Sequence, residues 1–133
     1  MTHSFTARVY YEDTDLAGIV YYANYLKFIE RARTEFVRSL GIDQSDLKAR
    51  DGIVFAVRRV EADYLSAAKF DDELIVETTV TGLTAARIHL RQKIRRDATP
   101  IFDAKVTLVA LTGAGKPARL PAIIRHALDT AQK

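Results

Sequence analysis

Three acidic residues, Glu12, Asp13 and Asp15, fall within four positions, and the small, flexible pair Ala17-Gly18 follows them. The apolar and aromatic run Ile19, Val20, Tyr21, Tyr22 comes next, and a strong helical pattern begins at Asn24. A carboxylate thus lies a few residues ahead of a helix start, in apolar surroundings, beside a glycine that lets backbone approach a ligand closely. Such a carboxylate can attack a carbonyl directly or activate a water to do so. Backbone N–H groups between Gly18 and Tyr22 would hold the resulting oxyanion, with the helix dipole in a favourable sense. An activated ester of a thiol fits this equipment, because thiolate leaves with less acid assistance than an amine. The structural alternative is a strand-to-helix loop whose acids are solvated and favour the helix dipole. Glu12 continues the preceding strand alternation onto the Tyr10 face, and Asp13 lies farther than Asp15 from the Gly18 turn. Asp15 is therefore the leading candidate, with Glu12 and Asp13 as competitors.

Other chemistries have less support. Gly113-Ala114-Gly115-Lys116 lacks the spacing of a phosphate loop, and Pro117 follows the lysine. None of His3, His89 and His126 pairs with another metal-type ligand at helical spacing, so no metal site and no cofactor are expected. A G-x-S-x-G elbow is absent. The chain has no cysteine, which removes disulfides, thiolate ligands and a cysteine nucleophile together.

The elements that must position Asp15 fit one domain, residues 1–133, of ordinary globular composition at 48% hydrophobic and 28% charged residues. No apolar run approaches the ~20 residues of a membrane span. Met1–Arg8 lacks a basic region followed by an apolar one, so a cytoplasmic location is expected. The formal charge of +3 suits a phosphorylated small molecule and is too dispersed to argue for nucleic acid.

Residues 4–12 alternate, with Phe5, Ala7, Val9 and Tyr11 on one side, as in a half-buried strand. From Asn24 to Leu40 the period becomes helical: Tyr25, Phe28, Ile29, Ala32, Phe36 and Leu40 form an apolar stripe roughly 25 Å long. Asn24 is the expected N-cap and Gly41 the expected residue after the C-cap. Glu30 and Glu35 stand three residues before Arg33 and Arg38, at pairing distance. A helical turn is expected near 45–50, closed by Asp51-Gly52. Four alternating runs follow, at 53–65, 73–81, 86–96 and 101–111, each with its even positions apolar. Short turn signals separate them, so they read as an antiparallel meander with one buried face. Thr112–Arg119 is a loop, and Pro121–Ala131 a short helix with Ile123, Ile124, Ala127 and Leu128 inward. The fold class is α+β: a five-stranded antiparallel sheet wrapped around one long helix.

Residues 12–35, E-D-T-D-L-A-G-I-V-Y-Y-A-N-Y-L-K-F-I-E-R-A-R-T-E, resemble the signature of the 4-hydroxybenzoyl-CoA thioesterase-like hotdog family, closest to its Tol-Pal-associated acyl-CoA thioesterase branch. The likeness continues through F-A-V-R-R (55–59), D-Y-L-S-A-A-K-F-D-D-E-L (63–74) and R-L-P (119–121). It implies a hotdog fold, an acyl-CoA substrate, Asp15 as the catalytic carboxylate and the Tyr22 backbone amide as polariser of the thioester carbonyl. It also implies sites shared between protomers of a homodimer, with dimers often paired into a homotetramer. Many members of that branch carry histidine where this chain has Tyr22, and a tyrosine cannot do histidine's proton work near neutral pH. The hydroxybenzoyl-CoA enzymes carry a basic cluster where this chain has T-G-L-T-A-A-R (81–87). Candidate CoA phosphate contacts here are Arg58, Arg59, Arg87 and Arg91, each of which also reads as a plain surface charge. Gly18 and Tyr25 are further candidates for substrate contact, and Tyr25 serves equally as a core aromatic.

The resulting expectation is hydrolysis of an acyl-CoA thioester to free acid and CoA, without metal or prosthetic group. A thioesterase for aromatic acyl-CoA or for acyl carrier protein is an alternative, the latter docking on the arginine-rich odd face of 86–96. A non-catalytic acyl-CoA-binding protein is the rival from another class.

Overall fold

The structure is a computed structural model that describes residues 1–132. Strand β1 spans His3–Arg8, helix α1 Asn24–Ser39, helix α2 Gln44–Asp51, and strands β2 to β5 Val54–Tyr64, Glu73–Leu83, Arg87–Arg96 and Thr99–Leu111. Helix α3, Ala122–Gln132, follows. The five strands form one antiparallel sheet in the order β1-β3-β4-β5-β2. Helix α1 lies across one face of it, which is the hotdog arrangement that the resemblance implies.

The meander expectation holds for β3, β4 and β5 only: β2 pairs with β5 and forms an edge, rather than pairing with β3. The reason lies in residues 65–72, which cross the end of the sheet instead of turning back. Leu65 and Ser66 donate to the Ile101 carbonyl, Ala68 accepts from Val20, and Asp71 and Asp72 exchange bonds with Val9. This crossing strap ties the far edge of the sheet to the loop that carries Asp15.

The alternation of β2 also departs from expectation. Val57 faces Leu108 while Arg59 faces Thr107, so Arg58 is an extra residue in a β-bulge. Before the bulge Phe55 and Val57 share the helix-side face; after it Val60, Ala62 and Tyr64 do. Val54 and Ala56 consequently point to the outer face. β1 is shorter than expected too: Tyr11 enters a 3-10 turn, is 78% exposed, and stacks on Phe70.

Phe28, Ile29, Ala32 and Phe36 of α1 are buried against the sheet residues Leu74, Val76, Val80, Leu90 and Val106. Burying each of the three large side chains contributes on the order of 2 kcal/mol. The helix ends as foreseen: Gly41 adopts φ 80°, its N–H donates to Arg38, and Ile42 donates to Val37. Its start differs. The N-cap is Ala23, and the Asn24 side chain donates instead to the Asp13 carbonyl at 2.9 Å. The bond locks the acidic loop onto the helix.

Beneath α1 the fully buried Gln92 donates to the Ile29 carbonyl and to Thr78 Oγ1, both at 2.9 Å, and accepts from Arg33 at 3.0 Å. Arg33 thus turns to Gln92 rather than to Glu30, whose carboxylate takes the Thr34 hydroxyl. Glu35 pairs with Arg38 as expected. In α3, Ile124, Leu128 and Ala131 are buried, whereas Ile123 is exposed, contrary to expectation.

Candidate active site

Residues 14–20 close into a tight hairpin against the strap. Thr14 bridges Val20, Asp15 N–H donates to Ile19 at 2.9 Å, and Gly18 N–H donates to the Asp15 carbonyl at 3.0 Å. The Asp15 carboxylate accepts the Ala17 N–H at 2.9 Å, an Asx-turn that fixes the side chain over its own loop. Gly18 completes the turn at φ 80°, a left-handed conformation that glycine adopts without a Cβ penalty. Ile19 pairs with Lys69, and Val20 donates to Ala68 at 2.8 Å, so the strap holds the hairpin in place.

The acidic trio separates into distinct roles. Asp13 is buried; its carboxylate accepts the Tyr10 N–H at 2.8 Å and its carbonyl accepts both the Tyr21 N–H and the Asn24 amide. Asp13 therefore builds the loop. Glu12 is exposed. Asp15 is half-buried, and its charge reaches two tyrosines. The Tyr21 hydroxyl is raised above its ordinary pKa first by the adjoining Tyr22 and to a lesser degree by Asp15. Burial raises Tyr25 most, and Asp72 and Asp15 add to it, against the Ala68 N–H and Arg96.

The start of α1 presents its amides next to this hairpin. The Tyr21 carbonyl accepts the Asn24 N–H at 2.8 Å, which fixes the Tyr21–Tyr22 peptide plane. In a trans peptide the N–H points opposite to the carbonyl, so the Tyr22 N–H is directed away from the helix body. Among the described residues nothing accepts it. The Tyr22 carbonyl in turn accepts the Tyr64 hydroxyl at 2.9 Å. An outward amide with its dipole aligned to the helix is a donor suited to a developing oxyanion.

An aromatic wall adjoins these groups. Tyr22 and Tyr25 meet Tyr64 edge-on at 6.3 and 5.6 Å, and Tyr25 stacks on Phe102 at 5.3 Å. Tyr25 itself is buried, and its hydroxyl accepts the Ala68 N–H at 3.1 Å, so it braces the strap from the core. Tyr22 and Tyr64 remain 61% and 49% exposed and meet where the start of α1 reaches the end of β2, while farther along the same two elements a groove opens beside Val37, Phe55 and Val57. Leu26 on the helix and Val60 on the strand, both exposed, lie in sequence between that tyrosine pair and the groove.

The arginines are distributed differently. Arg58 is the bulge residue of β2, and Arg59 lies on the outer face, paired with Glu61 at 2.7 Å. Arg87 begins β4 at the end opposite to Arg96, and Arg96 is the one that contacts the strap, through Ala67 and Asp72. Within one chain Arg87 is thus about 30 Å of strand away from the Asp15 end of the sheet. Arg91 is engaged in a two-pronged pair with Asp103. Sequence reasoning puts Tyr64 on the helix-side face of its strand, where it lies, and misses its bond to Tyr22, because that contact joins segments 42 residues apart and leaves no local pattern. Among the described residues there is no group of three or more His, Asp or Glu side chains fit to hold a metal, and no helix long and apolar enough to cross a membrane.

Residues 9–128 match the thioesterase-like superfamily. An acyl-CoA thioesterase of Haemophilus influenzae, YbgC, is 42% identical over 125 residues, spanning 93% of this chain and 92% of that protein. A probable thioesterase from Bartonella henselae superposes with a TM-score of 0.88 at 38% identity, over 91% of this chain and all of the other. A 4-hydroxybenzoyl CoA thioesterase complexed with 4-hydroxybenzoyl CoA shares the fold, with a TM-score of 0.90 at 20% identity over 96% of this chain and 98% of that one. Sequence and fold agree along nearly the whole length, and the chain belongs to the thioesterase-like superfamily.

Proposed function

We propose that this protein hydrolyses acyl-CoA thioesters, with Asp15 as nucleophile or general base and the Tyr22 N–H as oxyanion donor. The observation that carries the reading is the outward, unclaimed Tyr22 N–H at the start of α1, beside the half-buried Asp15. The acyl carbonyl sits against that amide. If Asp15 deprotonates a water, that water adds to the carbonyl carbon, and collapse of the oxyanion breaks the C–S bond to give the acid directly, the proton passing to the CoA thiolate. If Asp15 itself adds, collapse expels CoA thiolate and leaves an acyl-aspartyl anhydride, which one water then hydrolyses to the acid and free Asp15. The chemistry uses no metal or prosthetic group. Tyr22 contributes its backbone N–H in this reading. The Haemophilus relative, named for this activity, supports the substrate class.

The site belongs to an assembly of two or four copies in this reading. β2 is an edge strand eleven residues long. Val57, Val60 and Tyr64 on its helix-side face are 47%, 38% and 49% exposed. Unpaired strand edges with apolar flanks favour pairing with another strand, and a second β2 would wall the α1–β2 groove. CoA phosphates would then meet Arg58, Arg59 or Arg87 of either copy.

A second reading, hydrolysis of acyl carrier protein thioesters, has one observation in its favour. On the outer face of the sheet, no carboxylate among the described residues lies within ion-pair distance of Arg87, Lys93 or Lys105. An acidic carrier would complement them. A panel of short-chain, long-chain and benzoyl-type thioesters, on CoA and on carrier protein, with detection of released thiol, separates these possibilities. Turnover of CoA esters with loss in Asp15→Asn is the expected result. No hydrolysis of any thioester would leave an acyl-CoA-binding protein.

A further inference from the structure

The groove between α1 and β2 ends in a cation. A cleft of about 220 Å³ is walled by Val37, Phe55, Val57 and Leu108, and Arg33 and Glu30 enter it from α1. Arg33 is only partly exposed, and burial holds its guanidinium below the ordinary arginine pKa. Among the described residues no carboxylate lies within ion-pair distance of it. Glu30 acts on it from farther away and is exposed, with its carboxylate accepting the Thr34 hydroxyl at 3.0 Å.

The position of Arg33 is fixed from below. Gln92 donates both to Ile29 and to Thr78, so its amide cannot flip without losing two bonds, and its carbonyl oxygen is left for Arg33 at 3.0 Å. A guanidinium has five N–H donors, and a single neutral acceptor satisfies one of them. A partly desolvated arginine with donors to spare is a strong and geometrically specific receptor for a carboxylate.

The Tyr22–Tyr64 pair marks one end of the α1–β2 seam and this cleft the other, with exposed Leu26 and Val60 at intermediate positions of the two elements. The helix rise separates Tyr22 from Arg33 by about 16 Å. Helical side chains lean toward the N-terminus, which shortens the remaining gap to about 10 Å. An extended chain advances ~1.2 Å per bond, so roughly eight to ten carbons bridge it. We infer that Arg33 selects thioesters whose acyl chain of about ten carbons ends in a carboxylate, receiving that carboxylate in the cleft beside Val57 and Phe55. The inference rests on the thioesterase reading for the position of the acyl carbonyl.

The test compares decanedioyl-CoA with decanoyl-CoA on the wild type, Arg33→Met and Arg33→Lys, together with calorimetric binding of free decanedioate and decanoate. The wild type is expected to favour the decanedioyl ester in kcat/KM, with the preference peaking near ten carbons along a series of dicarboxylyl esters. That ratio should fall at least tenfold in Arg33→Met and be partly restored in Arg33→Lys. A wild type without such preference, or a ratio unmoved by Arg33→Met, overturns the assignment. So does conversion of an oligomer to monomer by Arg33→Met, which would place a partner's carboxylate on Arg33. If Arg33→Met does not fold, the chain-length series on the wild type and Arg33→Lys decides. Arg33-dependent binding of decanedioate without any thioester hydrolysis would sink the thioesterase reading and leave the carboxylate receptor standing. Hydrolysis without discrimination would do the reverse.

Discussion

The Tyr64 hydroxyl donates to the Tyr22 carbonyl at 2.9 Å, joining the last residue of an edge strand to the turn that opens α1. The bond spans 42 residues of sequence. It leaves the Tyr22 N–H free while restraining the backbone that aims it. Tyr64 is therefore a positioning residue, and its removal should be felt at the transition state more than in binding. Tyr64→Phe is expected to lower kcat by about three- to tenfold with KM little changed, and to cost about 1 kcal/mol of stability. Steady-state kinetics with a thermal melt checks this; a KM effect alone would move Tyr64 into the binding surface.

Asp15→Asn keeps the Asx-turn geometry and removes the charge. Turnover should fall by at least a hundredfold while the melting temperature stays close to that of the wild type. Glu12→Gln, at an exposed position, should be nearly silent. Asp13→Ala should act in the opposite sense to Asp15→Asn: it strips the Tyr10 N–H of its acceptor and costs about 1–3 kcal/mol of stability, with activity lost only as far as the loop loosens. Near-normal turnover by Asp15→Asn would transfer the chemistry to another acid.

Much of this was legible in the chain itself. The α1 stripe from Tyr25 to Phe36 has a period that only a helix satisfies, and the alternation in 73–81, 86–96 and 101–111 fixes buried faces that the sheet bears out. What local pattern does not carry is one extra residue. Arg58 reverses the parity of β2, so Val54 and Ala56 change face, and nothing short of pairing with β5 reveals it. The place of β2 at the edge was hidden for a similar reason: residues 65–72 contain turn-forming Asp71-Asp72, yet their backbone bonds go to three distant segments. Among the site residues, the loop acids were distinguishable by number but not by duty. The burial of Asp13 against Tyr10 depends on a 3-10 turn too short to leave a periodic signal.

Gln92 tests how much the polar network under α1 contributes. Its amide satisfies Ile29, Thr78 and Arg33 at once in a fully buried setting. Gln92→Leu preserves volume but leaves the Thr78 hydroxyl and the Arg33 guanidinium short of partners. A loss of about 2–4 kcal/mol is expected from denaturant unfolding, and Thr78→Val in the same background should recover part of it. A neutral Gln92→Leu would mean that water replaces the amide.

The Arg91–Asp103 pair on the outer face gives stability a pH signature. Hydrogen bonding to Arg91 holds the Asp103 carboxyl below its ordinary pKa, with Arg91, Lys93 and Lys105 adding charge, and burial opposes them. A carboxyl depressed in the folded state stabilises the protein above its unfolded pKa and loses that contribution as pH falls through the folded one. Asp103→Asn should therefore melt lower than the wild type at neutral pH, with the gap closing in acid below the ordinary carboxylate range. The pair is partly solvent-exposed, so high salt should narrow the gap as well. A gap that widens on acidification would contradict the assignment.

The free edge of β2 makes the final claim concrete. Val60 stands after the bulge on the helix-side face, paired in register with Val106, and remains 38% exposed beside the α1–β2 seam. If a second copy adds its own β2 there, Val60 becomes buried between protomers, and a charge at that position is desolvated without a partner. Val60→Asp should then convert an oligomer seen by light scattering into a monomer, since an unpaired buried charge costs several kcal/mol. Turnover should fall with it and return as protein concentration is raised, because the second strand walls the groove that holds the acyl chain. A wild type that is monomeric throughout, or a monomeric Val60→Asp with full turnover, would mean that one chain completes the site alone.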